Sequence, residues 1–183
     1  MTIRATLGCK GETQQKNIAW YLPRPKPDHY KGGMPLYAEE WLIQLAKDIL
    51  DNDKPDILQV FCGMNKYGFR VDIKQEVSPD LVADVHELSK HLDKKFDLII
   101  ADPPYSDQEA KDLYGTPKLK YKIWTRECDL LLKDGGLLII YHKFIIPNPN
   151  PEKYIVEKRV FIGSRTRHLP RVAIYFRKKE GKV

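Results

Sequence analysis

The chain is 183 residues long, 42% hydrophobic and 31% charged, with a formal net charge of +6. That length suits one domain with a substantial core, and the composition excludes a disordered polymer. No apolar run approaches the ~20 residues that span a bilayer, so no membrane partner is expected. Met1-Thr2-Ile3-Arg4 leads into polar sequence rather than a signal-peptide core, and a cytoplasmic protein is expected. Cys9, Cys62 and Cys128 are odd in number and widely spaced, which argues against a disulfide framework and a zinc site. No metal is expected.

Residues 1–35 contain Pro23, Pro25, Pro27 and Pro35 with Gly32 and Gly33, which predicts an irregular N-terminal arm before a single domain at 36–183. From Ala38 to Asp51, Trp41, Leu42, Leu45, Ile49 and Leu50 recur at helical spacing. Asp56 to Phe61 then reads as a buried strand ending at Cys62-Gly63. Arg70 to Ile73, Leu81 to Asp84, Phe96 to Ala101 and Leu137 to Tyr141 read as further short strands. Their apolar runs, rather than alternation, predict a sheet covered on both faces. Ser106-Asp107-Gln108-Glu109 is a capping box opening a helix that Gly115 closes. Thr116-Pro117 begins another, carrying Leu119, Ile123, Trp124, Leu130 and Leu131 inward and stopping at Gly135-Gly136. Glu157 to Ile162 and Arg171 to Arg177 form an antiparallel pair around a basic loop.

The strand at 96–101 delivers Asp102-Pro103-Pro104-Tyr105 to its exit. At average residue usage such a tetrad arises by chance in roughly one chain of this length in a thousand. The prolines could simply stop the strand. They also fix the backbone so that the Pro103 carbonyl and the Asp102 carboxylate point at one external group. Such a pair accepts two hydrogen bonds from a planar exocyclic NH2, while Tyr105 offers a face for stacking the attached heterocycle. Positive charge gathers at 10–31 and 153–182. Within the second run Arg165, Arg167, His168 and Arg171 lie between two strands, either as a solvated hairpin tip or as a loop that attracts phosphates.

On this tetrad the chain resembles the S-adenosylmethionine-dependent amino-methyltransferases of nucleic acids, whose signature is Asp/Asn/Ser-Pro-Pro-Tyr/Phe/Trp. The resemblance runs from about Tyr30 to Tyr141, and only Asp102 to Tyr105 is specific. It implies an α/β fold with a Rossmann-like class I methyltransferase sheet, mostly parallel with a C-terminal antiparallel hairpin, and makes 36–183 a methyltransferase-like catalytic domain. Two connections depart from the family: 63–70 and 74–81 are too short for the usual crossover helices. Either they are extended loops or the sheet is reduced.

The resemblance implies S-adenosylmethionine as cofactor at successive strand ends. Phe61-Cys62-Gly63-Met64-Asn65 stands where the family has Phe-x-Gly-x-Gly, and Gly63 would admit the amino-acid moiety. Asp72 resembles the acid that accepts from the ribose hydroxyls, and Asp84-Val85-His86 the site beside the adenine. Gly32 and Gly33 stand where the family often contacts the methionine end. His86, His142 and Cys62 are assigned no chemistry.

As the resemblance implies, Asp102, Pro103 and Tyr105 are catalytic, and Pro104 together with Arg165, Arg167 and Arg171 of the basic loop is expected to bind substrate. The expected activity is methylation of an exocyclic amine of DNA or RNA, adenine N6 first and RNA guanine N2 as an alternative. A partner subunit could supply target recognition. The competing expectation is a catalytically silent module of the same fold that binds nucleic acid or a partner enzyme.

Overall fold

The computed structural model describes residues 16–22, 34–35, 37–115, 119–164 and 170–181. Strands β1 (Asn17–Leu22), β2 (Ile57–Val60), β3 (Phe69–Asp72), β4 (Leu81–Val82), β5 (Phe96–Ala101), β6 (Leu132–His142), β7 (Tyr154–Ser164) and β8 (Arg171–Lys178) alternate with helices α1 (Ala38–Leu50), α2 (Asp107–Tyr114) and α3 (Tyr121–Leu131). The strands form one eight-stranded sheet in the order β1-β7-β8-β6-β5-β2-β3-β4. Strand β8 runs antiparallel to both its neighbours, and every other pairing is parallel. This is the mostly parallel sheet with a C-terminal antiparallel hairpin that the resemblance implies.

Period-two alternation sends the two halves of each central strand to different cores. Ile99 and Ala101 of β5, Leu138 and Ile140 of β6, and Val172, Ile174 and Phe176 of β8 share one core with Trp124, Cys128 and Leu131 of α3. Leu98 and Ile100, Leu137, Ile139 and Tyr141, and Ala173 and Tyr175 face the opposite way, onto Leu42, Ile43 and Ala46 of α1. Because helices cover both faces, neither face of β5 or β6 needs polar residues.

Two expectations change and one open alternative is decided. The arm at 1–35 is not irregular throughout, since Asn17–Leu22 is an edge strand pairing in parallel with β7. Ile18, Trp20 and Leu22 alternate with more exposed neighbours, and Trp20 meets Trp41 of α1 edge-on at 5.3 Å. Helix α3 stops at Leu131 rather than at Gly135-Gly136, and the chain is already extended at Leu132. The glycines instead lie where the β5–β6 register shifts, with Gly135 at φ 75 and no room for a side chain at Gly136, whose Cβ would lie 2.9 Å from the Asp97 carbonyl. Finally, the short crossovers do not reduce the sheet. Residues 61–68 are a loop, 73–80 hold one 3-10 turn at Gln75–Val77, and β2, β3 and β4 still pair in parallel.

Candidate functional site

Strand β5 ends at Ala101, so Asp102 to Tyr105 emerge from the middle of the sheet between β2 and β6. Pro103 is buried, while Asp102, Pro104 and Tyr105 are half-buried. The Tyr105 hydroxyl donates to Asp102 Oδ1 over a long 3.4 Å, and Arg171 Nε donates to the same hydroxyl at 3.0 Å. The Arg171 guanidinium lies 4.7 Å from the Tyr105 ring centre and the Lys143 ammonium 5.5 Å from it, both within cation–π range. His142 meets the ring edge-on at 5.1 Å. Arg171 thus joins the tetrad, whereas Arg165 and Arg167 lie outside the described residues.

Beside Asp102 stands a group the sequence reading passed over. The β5–β6 register pairs Ala101 with Ile140, which brings Tyr141 alongside Asp102. Tyr141 is 1% exposed, and its hydroxyl is buried without a hydrogen-bond partner among the described residues. Burial, then the neighbouring Asp102 carboxylate, holds that phenol well above its usual pKa. It stays a neutral donor, and an unpaired buried hydroxyl costs about 1–3 kcal/mol.

Two clefts open over the strand ends, with Pro104 and Leu119 in the lining of both. The Tyr105 cleft, about 530 Å³, is walled by Pro103, Tyr105, Tyr121, Trp124, His142 and Ile146. The Asp72 cleft, about 500 Å³, is lined by Phe61, Ile73, Val85 and other apolar side chains, with Asp72, Asp84 and His86 as its ionisable groups. Flat apolar walls with carboxylates suit a planar heterocycle bearing hydroxyl or amino groups.

Four of the expected cofactor residues, Phe61, Asp72, Asp84 and Val85, line the Asp72 cleft. Gly63 joins them through its N–H, which donates to Asp72 Oδ2 at 2.9 Å. Asp72 Oδ1 accepts from Lys74 N at 3.0 Å, so one buried carboxylate ties down both short loops and each oxygen keeps a second acceptor direction. Asp84 Oδ1 accepts from His86 N at 2.9 Å and faces His86 Nδ1 at 2.7 Å. Since Lys120 N–H donates to His86 Nε2 at 3.0 Å, the neutral ring carries its proton on Nδ1. His86 therefore joins the adenine-site candidate Asp84 to the start of α3. Gly32 and Gly33 lie outside the described residues. Cys62 is buried, and burial followed by the Asp72 charge pushes its thiol up to about 12, which leaves it no nucleophile near neutrality.

A buried polar cluster does the work of the missing crossover helix. Glu39, in the first turn of α1, accepts from the amides of Lys66 at 2.8 Å and Tyr67 at 3.0 Å and from Gln59 Nε2. Gln59 Oε1 accepts from Asn65 Nδ2 at 2.7 Å. Residues 61–68 are thereby pinned to α1 and β2. Asn65 stood in the glycine-loop segment, but nothing local in the sequence marks Glu39 or Gln59 as its partners.

No protein-family model matches the chain, and no curated protein matches it in sequence. Solved structures do match it. TrmN from Thermus thermophilus superposes with a TM-score of 0.56 at 16% identity over 79% of this chain and 49% of its own, so the chain spans about half of TrmN. The N-methyltransferase NodS from Bradyrhizobium japonicum WM9, in complex with S-adenosyl-L-homocysteine, gives 0.57 at 13% identity, covering 85% of this chain and 94% of NodS. An S-adenosylmethionine-dependent methyltransferase from Clostridium acetobutylicum gives 0.52 at 13% identity, covering 85% and 94%. At these identities the likeness is one of architecture: the chain has the Rossmann-like fold of the S-adenosylmethionine-dependent methyltransferases.

Proposed function

We propose that the protein is an S-adenosylmethionine-dependent N-methyltransferase acting on the exocyclic amine of a nucleic-acid base, adenine N6 first. The observation that carries this reading is Asp102-Pro103-Pro104-Tyr105 at the end of β5, with Pro104 shared by the two clefts. The Asp72 cleft fits the cofactor: Ile73, Val85 and Pro104 would hold the adenine, Asp84 would accept from its amino group, and Asp72 would accept from the ribose hydroxyls. Gly63, with Gly32 and Gly33, would face the amino-acid end. When bound, S-adenosylmethionine supplies an electrophilic methyl group on a sulfonium.

The amino nitrogen of a base is a poor nucleophile because its lone pair is delocalised into the ring. Asp102 and the Pro103 carbonyl hold its two N–H bonds and favour a tetrahedral nitrogen, so that most of the rate gain comes from positioning. The Asp102 carboxylate also stabilises the positive charge that develops on nitrogen. Tyr105 stacks the base, and the cations on its ring neutralise nearby phosphate. A base in a duplex must first be flipped out of the helix. The chemistry is the same for DNA and RNA, and guanine N2 is the alternative acceptor. Target choice falls to the arginine loop at 165–171, the arm or a partner subunit.

A second reading, a silent methyltransferase-like module, is favoured by one observation: both Asp72 oxygens already accept backbone amides from the shortened loops. Calorimetry with S-adenosylmethionine, then labelled-methyl transfer to mixed DNA and RNA with mass analysis of the nucleosides, separates the two. We expect binding and a methylated base. Absence of cofactor binding overturns the enzyme reading.

A further inference from the structure

The turn after β6 carries two adjacent large apolar side chains that are 60% and 62% exposed, Phe144 and Ile145. Single exposed apolar residues need no explanation. Here, however, the flanking residues His142 and Ile146 both line the Tyr105 cleft, so the exposed pair sits on its lip. The rings run outward in series. Tyr105 to His142 is 5.1 Å between ring centres, and His142 to Phe144 is 5.6 Å. The Lys143 ammonium lies 5.5 Å from the Tyr105 ring centre and 5.3 Å from that of Phe144, with Arg171 on the Tyr105 side.

The exposure is held by the backbone. Phe144 N–H donates to His142 Nδ1 at 3.0 Å, and the Tyr121 hydroxyl donates to the Pro147 carbonyl at 2.6 Å. Asn148 Nδ2 donates to the Tyr154 carbonyl at 3.0 Å. The turn is thereby fastened to α3 and β7 while its apolar tip faces water. A row of rings interleaved with cations, leading from a pocket to the surface, has the chemistry of a single-stranded polynucleotide track, in which bases stack on aromatic faces and phosphates meet the positive charges.

We propose that Phe144, supported by Lys143 and Ile145, is the ledge on which the nucleotide flanking the acceptor base stacks when a single strand is bound. This deepens the nucleic-acid reading above and rests on it for the identity of the pocket. It assigns Phe144 to binding of the strand, with no part in methyl transfer.

The test is strand binding by the full chain without cofactor, read with DNA and RNA oligonucleotides of about 12 nucleotides that carry fluorescent 2-aminopurine beside each adenine. Phe144→Ala is expected to weaken binding about tenfold and remove the fluorescence quench. Phe144→Trp is expected to keep both. Lys143→Glu should flatten the slope of log affinity against log salt by about 0.7. Wild-type binding and quenching in Phe144→Ala overturn the ledge, as does a wild-type chain that binds no strand. Because no turnover is read, the two proposals fail separately. Phe144-dependent binding without methyl transfer upholds the ledge and sinks the enzyme, whereas methyl transfer with Phe144→Ala unaltered does the reverse.

Discussion

The Tyr105 cleft is walled by side chains that hold one another, Arg171 and His142 on Tyr105 and Tyr121 beside Trp124, whereas the Asp72 cleft is walled by loops held through carboxylates on backbone amides. The first arrangement joins neighbouring strand ends to one helix: Tyr105 follows β5, His142 ends β6, Arg171 begins β8, and Tyr121 and Trp124 belong to α3. The second is built on two short loops, which Asp72 holds through the amides of Gly63 and Lys74 and Glu39 of α1 holds through those of Lys66 and Tyr67. Substitutions in the two clefts should therefore fail differently: the Tyr105 side loses chemistry while the fold survives, and the Asp72 side loses the fold of its loops.

The largest effect is expected at Asp102. Its half-buried carboxylate lies beyond the end of β5, so Asp102→Ala should leave thermal unfolding and cofactor affinity near wild type. Methyl transfer should fall about a hundredfold or more, as for loss of a group that acts in the transition state. Single-turnover kinetics with saturating S-adenosylmethionine checks this. Unchanged turnover would remove Asp102 from the acceptor site and erase the contrast between the clefts.

The opposite failure is expected at Gly68, where the short loop enters β3. Its φ is +77, and an added Cβ would lie 2.6 Å from both the Ile57 Cβ and the Ile57 carbonyl. Backbone stands in the way, so no rotamer change relieves the clash. Gly68→Ala should cost about 2–3 kcal/mol, lowering Tm by about 4–12 °C for a domain of this size. Cofactor affinity should fall with it, because residues 61–68 contribute Phe61 to the cleft and the Gly63 amide to its Asp72. Calorimetric unfolding alongside cofactor titration decides whether loop and cleft are one unit.

The sequence exposed the sheet and the tetrad for the same reason: each is written in consecutive residues. The strand at 96–101 and the uninterrupted burial of 137–141 follow from apolar residues alone, and Asp102 to Tyr105 are contiguous. The strand at 17–22 was hidden by the prolines after it, although Ile18, Trp20 and Leu22 alternate. At 132–136 the glycine pair suggested a helix stop, yet pairing with β5 overrode that local signal. The shortness of 61–68 was visible, but its remedy was not. Glu39, Gln59 and Asn65 share no period or motif, and only the fold brings them together. The roles of His86 and Tyr141 were equally mute, one a link and the other a hydroxyl without a partner among the described residues.

That hydroxyl offers a finer test on the Tyr105 side. Tyr141→Phe removes a buried group that pairs with nothing among the described residues and leaves the ring in place. Stability should rise by about 1 kcal/mol, the reverse of what Gly68→Ala does across the sheet. A loss of stability would show that the hydroxyl is paired in solution.

The smallest effect is expected at Cys62, between Phe61 of the Asp72 cleft and Gly63. Methyl transfer to an amine needs no covalent enzyme intermediate, and a thiol pushed up to about 12 by burial is not ionised near neutrality. Cys62→Ser should change turnover less than about threefold, because the thiol takes no part in the transfer. The thiol still leaves a mark on stability. Its folded pKa lies above the ordinary thiol value, so the folded chain holds this proton more tightly than the unfolded one. That contribution is intact below about pH 9 and is lost as pH rises towards 12. Denaturant titrations across that window should show a steeper alkaline loss in wild type than in Cys62→Ser. Equal slopes would mean that the loop at 61–68 admits water to the thiol, and then the Asp72 cleft is less firmly closed than the carboxylate bonds imply.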